Sequence, residues 1–106
     1  MSKDLRVVKP EGILDSVRAL ELRREVMDLI AAGATSILVD LQLVTFMNSS
    51  GMGALVATLK AVKAEGAELA LCSLGDQVKI IFELSRMDRI FKVYRDRSEC
   101  ELALQT

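Results

Sequence analysis

Two periodicities alternate along the chain. Residues 5–8 form a short apolar, β-prone run that Lys9-Pro10-Glu11-Gly12 breaks, after which Ile13-Leu14 can resume a strand. From Asp15-Ser16, a helix-start pair, Ala19, Leu22, Val26, Leu29 and Ile30 recur at helical spacing. Arg18, Arg23, Arg24 and Asp28 fall mostly elsewhere on that cylinder. Gly33 is the expected stop, because glycine takes the left-handed cap conformation without steric cost.

Residues 36–44 read as one strand, with Ile37, Leu38, Val39, Leu41, Leu43 and Val44 nearly uninterrupted. A run of that kind suits a strand covered on both faces. From Ser50 onward, Met52, Leu55, Val56, Leu59 and Val62 give a helical stripe that Gly66 ends. Residues 68–74 repeat the strand character. Gly75-Asp76 opens a further helix with Val78, Ile81, Phe82 and Ser85 on one face, and residues 90–94 alternate in a β-prone way. Ser98-Glu99-Cys100-Glu101 has the form of a capping box, in which serine and the glutamate three residues on satisfy each other's end groups. Residues 102–104 then complete a short last helix. Strands alternating with helices predict an α/β domain with a mostly parallel sheet and crossover helices. No repeat, low-complexity tract or linker divides the 106 residues, so a single domain is expected over 1–106.

Composition removes several function classes. The net charge of −1 leaves no basic stripe of the kind a nucleic-acid binder uses. Aromatic residues make up 4%, without tryptophan, so base-stacking platforms are missing too. The most apolar stretch, residues 37–47, is interrupted by Asp40 and Gln42, well short of the roughly 20 apolar residues that span a bilayer. The first residues lack a signal-peptide pattern. Cys72, in an apolar strand, and Cys100, in an expected helix, have no CxxC spacing and read as reduced, partly buried thiols. A cytoplasmic location without membrane insertion is the expectation. The chain has no histidine, which excludes a Ser-His-Asp or Cys-His set within it and removes the commonest metal ligand. No catalytic residue, metal or cofactor is therefore expected.

The informative stretch is the junction Asp40-Leu41-Gln42-Leu43-Val44-Thr45-Phe46-Met47-Asn48-Ser49-Ser50-Gly51-Met52-Gly53. It fails as a P-loop, which needs a lysine beside the last glycine. It fails as a dinucleotide fingerprint, since Val56 stands at the third glycine position, and as a nucleophile elbow, since GxSxG is absent. Gly51 and Gly53 fall in the first turns of a helix, where each costs about 0.5–1 kcal/mol relative to alanine. A tight turn, close packing on the sheet, or a surface kept flat for a partner has to offset that cost. Ser49 or Ser50 can serve simply as the helix cap, a contribution of about 1 kcal/mol. In open α/β sheets the functional crevice lies at the carboxyl ends of strands, so Asp15 and Asp40 converge with the serines if their strands are neighbours. Equally, Asp15 can cap the first helix and Asp40 can orient the loop.

Phe46-Met47-Asn48-Ser49-Ser50-Gly51-Met52-Gly53-Ala54-Leu55 resembles the signature of STAS domains of the anti-sigma factor antagonist (anti-anti-sigma factor) type. Gly12-Ile13-Leu14-Asp15, Val39-Asp40-Leu41 and the run from Ile81 to Phe91 are similar to further family segments, so the resemblance covers nearly the whole chain. It implies a central mostly parallel sheet of four to five strands with about four helices, and an N-terminal β-hairpin that is shortened here. It also implies a non-enzymatic transcription regulator that binds an anti-sigma factor which is a serine kinase of GHKL type. The kinase would phosphorylate Ser49, and a PP2C-type phosphatase would reset it. The implied binding face is Asp15, Ser16, Asp40, Met47, Asn48, Ser49, Ser50, Gly51, Met52 and Gly53. Asn48 stands where the family usually has aspartate, and Arg86 where it often has glycine. The second reading is a STAS subunit of an ABC-type lipid or anion transport system that uses the same face without obligatory phosphorylation.

Overall fold

The computed structural model describes residues 4–104. In chain order its elements are β1 (Leu5–Val8), β2 (Gly12–Leu14), α1 (Ser16–Ala31), β3 (Ser36–Asp40), β4 (Val44–Met47) and α2 (Ser49–Ala64). There follow β5 (Glu68–Cys72), α3 (Asp76–Leu84), a 3-10 turn at Met87–Arg89, β6 (Lys92–Tyr94) and α4 (Arg97–Leu104). β1, β3, β5 and β6 form a parallel four-stranded sheet in the order β1-β3-β5-β6. β2 and β4 pair with each other in a separate parallel ribbon. This is the single α/β domain that the alternation of periods predicts.

Strand period two sorts the core. Ile37, Val39, Leu69 and Leu71 join the apolar cluster that also contains Leu22 and Val26 of α1, Leu55 and Leu59 of α2, and Val78 and Phe82 of α3. Leu38 and Cys72, one residue out of phase, pack instead with Cys100 of α4. Every residue of β3 is buried, which is why its sequence shows no polar alternation. Phe82 and Phe91, with ring centroids 5.9 Å apart, tie α3 to the segment entering β6.

The structure corrects the reading at several boundaries. Residues 36–44 are not one strand. The Asp40 carboxylate accepts the Gln42 N–H at 2.9 Å, and the Val44 N–H donates to the Leu41 carbonyl at 3.0 Å. The resulting turn lifts the chain out of the four-stranded sheet and into the β2–β4 ribbon. Leu41 and Val44 are buried on either side of it, so the hydrophobic pattern runs through the break. The expected N-terminal hairpin is also absent among the described residues, since β1 pairs with β3 and β2 with β4. β5 ends at Cys72, where Ser73 takes φ 59°. β6 starts only at Lys92, because the Ile90 and Phe91 N–H groups are both turned onto the Met87 carbonyl. At α4 the cap is Asp96, which accepts the Glu99 N–H at 2.9 Å, while Glu99 accepts the Arg95 N–H at 3.1 Å. Glu99 thus reaches past the cap to the N–H of the residue before it, so the reciprocal pair of a capping box is not formed, and Ser98 makes no capping bond among the described residues.

Candidate functional site

The site begins with the ribbon register. Leu14 is the partner of Met47, so the residues that follow them, Asp15 and Asn48, leave the ribbon side by side. Each starts a helix. Asp15 accepts the Arg18 N–H at 2.9 Å as the N-cap of α1, and Asn48 accepts the Gly51 N–H at 2.7 Å as the N-cap of α2. Two helix N-termini, each with unsatisfied N–H groups and a partial positive charge, therefore open beside one another.

This settles which residue caps α2. The cap is Asn48, and Ser49 and Ser50 are the first two helical residues. Both serines are exposed, and neither side chain makes a hydrogen bond among the described residues. An amide oxygen does the capping work that the spacing allowed for a serine hydroxyl.

The two glycines have different causes. A Cβ on Gly51 would overlap the Leu14 carbonyl oxygen and stand 2.8 Å from its carbonyl carbon. Only glycine lets the first turn of α2 pack this closely on the β2–α1 corner. A Cβ on Gly53 would meet nothing within 4 Å, and the residue is exposed. No internal packing offsets the cost of Gly53 in a helix.

Of the remaining expected site residues, Ser16 is exposed at the start of α1. Met47 and Met52 turn inward and are 1% and 8% exposed, so their side chains support the junction from the core. Asp40 is separated from the others. Gly12 pairs with Val44 at the start of the ribbon and Leu14 with Met47 at its end. Asp15 and Asn48 follow that end, whereas Asp40 precedes the turn into the start. Its carboxylate is buried and engaged by Gln42. The condition under which Asp40 joins Asp15, neighbouring strands, is not met: β3 pairs with β1 and β5, not with β2.

Four apolar side chains near the junction escaped the sequence reading. Ile13 and Phe46 are register partners in the ribbon and are 54% and 37% exposed. Val17 and Leu20, on the first turns of α1, are 64% and 49% exposed. The signal was available for the last two, which lie out of phase with the Ala19-Leu22-Val26 stripe. The face thus combines exposed apolar groups with the hydroxyls of Ser16, Ser49 and Ser50 and the Asp15 carboxylate, the mixture expected of a protein-docking surface. Among the described residues no three His, Cys, Asp or Glu side chains gather where they could hold a metal ion.

A family model of the STAS domain matches residues 2–100. The chain belongs to the STAS family. Among its STAS relatives, the anti-sigma-B factor antagonist of Staphylococcus aureus is 31% identical over 86 residues, covering 81% of this chain and 80% of that protein. The crystal structure of TM1081 from Thermotoga maritima superposes with a TM-score of 0.85 at 27% identity, covering 97% of this chain and 89% of the other. At lower identity the fold alone is shared. Unphosphorylated SpoIIAA, an anti-sigma factor antagonist, matches at TM-score 0.76 and 18% identity over 100% of this chain and 93% of its own. The STAS domain of a SulP transporter from Vibrio cholerae matches at 0.79 and 19% over 99% and 84%.

Proposed function

We propose that this STAS domain is a non-enzymatic switch that binds an anti-sigma factor of the GHKL serine-kinase type in the cytoplasm, frees the sigma factor, and is released by phosphorylation of Ser49. The observation that carries this reading is the Ser49 hydroxyl, which is exposed at the first helical position of α2 and not needed for the cap. It is joined by the relationship to the S. aureus anti-sigma-B factor antagonist. Thr58, by contrast, is fully buried and bonded to the Ala54 carbonyl at 2.9 Å, out of a kinase's reach.

The physics of the switch follows from position. A phosphate on Ser49 adds about −1.5 to −2 charges. The adjoining N-termini of α1 and α2 favour negative charge, so the domain itself tolerates the group. With Asn48 in the cap, the amide adds no second negative charge beside the phosphate. The docking face, already carrying Asp15 and lying against Ile13, Phe46, Val17 and Leu20, becomes bulkier and more anionic. The cost therefore falls on the complex. ATP and Mg²⁺ belong to the kinase, and a PP2C-type phosphatase restores the hydroxyl.

The test is incubation with the kinase and Mg·ATP, followed by mapping of the phosphopeptides. Phosphate on Ser49 alone is the expected result; phosphate only on Thr58 or Ser73, or none, sinks the assignment. Co-purification separates this reading from docking to a transport system. Recovery of a transporter ATPase in place of the kinase would move the same face to that role.

A further inference from the structure

The pairing of β5 with β6 begins at Ala70 and Lys92, two residues later than its pairing with β3, which begins at Ser36 and Glu68. Among the described residues no strand therefore pairs with Glu68 and Leu69 on the β6 side, and one corner of the sheet is open there. A cavity of about 320 Å³ occupies that corner. Because it lies in a gap between strands, it is reached by side chains from both faces. Ile37 and Leu59 wall it from the three-helix side, and Leu5 and Leu104 from the α4 side.

Two polar features distinguish this corner from an apolar packing gap. Ser36, 3% exposed, borders the cavity, and its hydroxyl has no hydrogen-bond partner among the described residues. A buried hydroxyl is ordinarily satisfied, so an orphan beside a cavity marks a place for a missing partner. Lys63, at the end of α2, and Lys92, at the start of β6, also border it and are exposed. Neither makes an ion pair among the described residues. Glu68 shares the rim and has an interaction of its own, so the charged side chains that border the corner among the described residues are two lysines and one engaged carboxylate.

We infer that this open corner is a binding site for a small single-chain aliphatic anion, whose chain lies along the leucine and isoleucine walls and whose head group meets the lysines and Ser36. The volume sets the size. At the roughly 30 Å³ that a water occupies in the liquid, the cavity holds about ten heavy atoms, the count of an eight-carbon carboxylate. It also falls at the low end of small-molecule pockets, about 300–1,000 Å³. The site lies at the far end of α2 from Ser49, so it neither uses the kinase-docking face nor depends on it.

Titration of the full chain with octanoate, followed by amide chemical shifts, tests this. Saturable shifts at Ser36, Leu69, Ala70 and Lys92 are expected, with a midpoint on the order of 1 mM for a ligand of this size. Octanol should bind at least about tenfold more weakly. The double variant Lys63→Gln, Lys92→Gln, at exposed positions and with its fold checked by thermal unfolding, should lose about tenfold for octanoate and nothing for octanol. Octyl phosphate run in parallel identifies the head group, and either ranking of the two anions supports the site. Shifts that do not saturate, shifts centred elsewhere, or equal binding of octanol and octanoate would overturn the proposal.

Discussion

Three residues show how much of this protein is decided within a few ångströms. Gly51 is required because its Cα sits against the Leu14 carbonyl. Gly51→Ala should lower stability by at least about 1–3 kcal/mol through overpacking against backbone that has no room to move. Gly53→Ala meets open space, and the same change should raise stability by about 0.5–1 kcal/mol. Urea denaturation of the two variants separates them, and a neutral Gly51→Ala would refute the close-approach argument. If Gly53→Ala is stabilising yet weakens kinase binding, the glycine is kept for the partner. Arg86 is the third case. It follows α3 in the left-handed conformation, φ 61° and ψ 25°, so the turn keeps the backbone shape suited to the glycine that the family often has there. That conformation costs an L-residue about 1–2 kcal/mol, while glycine adds about 0.5–1 kcal/mol of chain entropy. Arg86→Gly should therefore stabilise by about 0.5–1 kcal/mol, read as a rise in the thermal midpoint.

At the scale of elements, the cap of α2 separates structure from switching. Asn48→Ala removes the acceptor of the Gly51 N–H and should cost about 0.5–2 kcal/mol. Ser49→Asp should cost nothing. The first turn of α2 holds no acidic residue, and a carboxylate there gains about 0.3–1 kcal/mol from the helix N-terminus. Thermal midpoints and kinase binding measured on both variants give opposite signatures. Asn48→Ala lowers the midpoint, whereas Ser49→Asp holds it and weakens the complex. A collapse of Ser49→Asp would return the serine to a structural role. Helices were the legible elements, because Ala19, Leu22 and Val26 or Leu55, Leu59 and Val62 mark a buried face by spacing alone. The β3–β4 break was not legible, because Leu41 and Val44 remain buried on both sides of it. The turn is made by the Asp40–Gln42 and Val44–Leu41 hydrogen bonds, which hydropathy does not register.

At the scale of the molecule, α4 covers the second sheet face with a small core of Leu38, Cys72 and Cys100. Burial pushes both thiols above their ordinary value of 9.0, and Asp40, Cys100 and Asp96 add to the rise at Cys72 against an opposing Ser73 hydrogen bond. The folded state thus favours the thiol form. Stability from this source is complete below the unfolded thiol's pKa and is lost as pH rises through the folded value. The urea midpoint should fall above about pH 9, and fall less in Cys100→Ala; an equal fall in that variant would remove the thiols as the cause. No described helix is long and apolar enough to cross a membrane. By itself, the sequence determined the α/β class, the helix faces, the lack of histidine chemistry, and the Asn48-Ser49-Ser50-Gly51-Met52-Gly53 junction with its STAS resemblance, since each rests on local spacing or residue identity. Only the tertiary structure decided that Asp15 stands beside Asn48 while Asp40 does not, that the cap is an amide and not a serine, and that Gly51 and Gly53 answer to different demands. The placement of Asp15 and the demand on Gly51 depend on strand register and on backbone contacts between residues more than thirty positions apart, which no local pattern encodes. The cap depends on which of three adjacent polar side chains the helix start turns onto the Gly51 N–H.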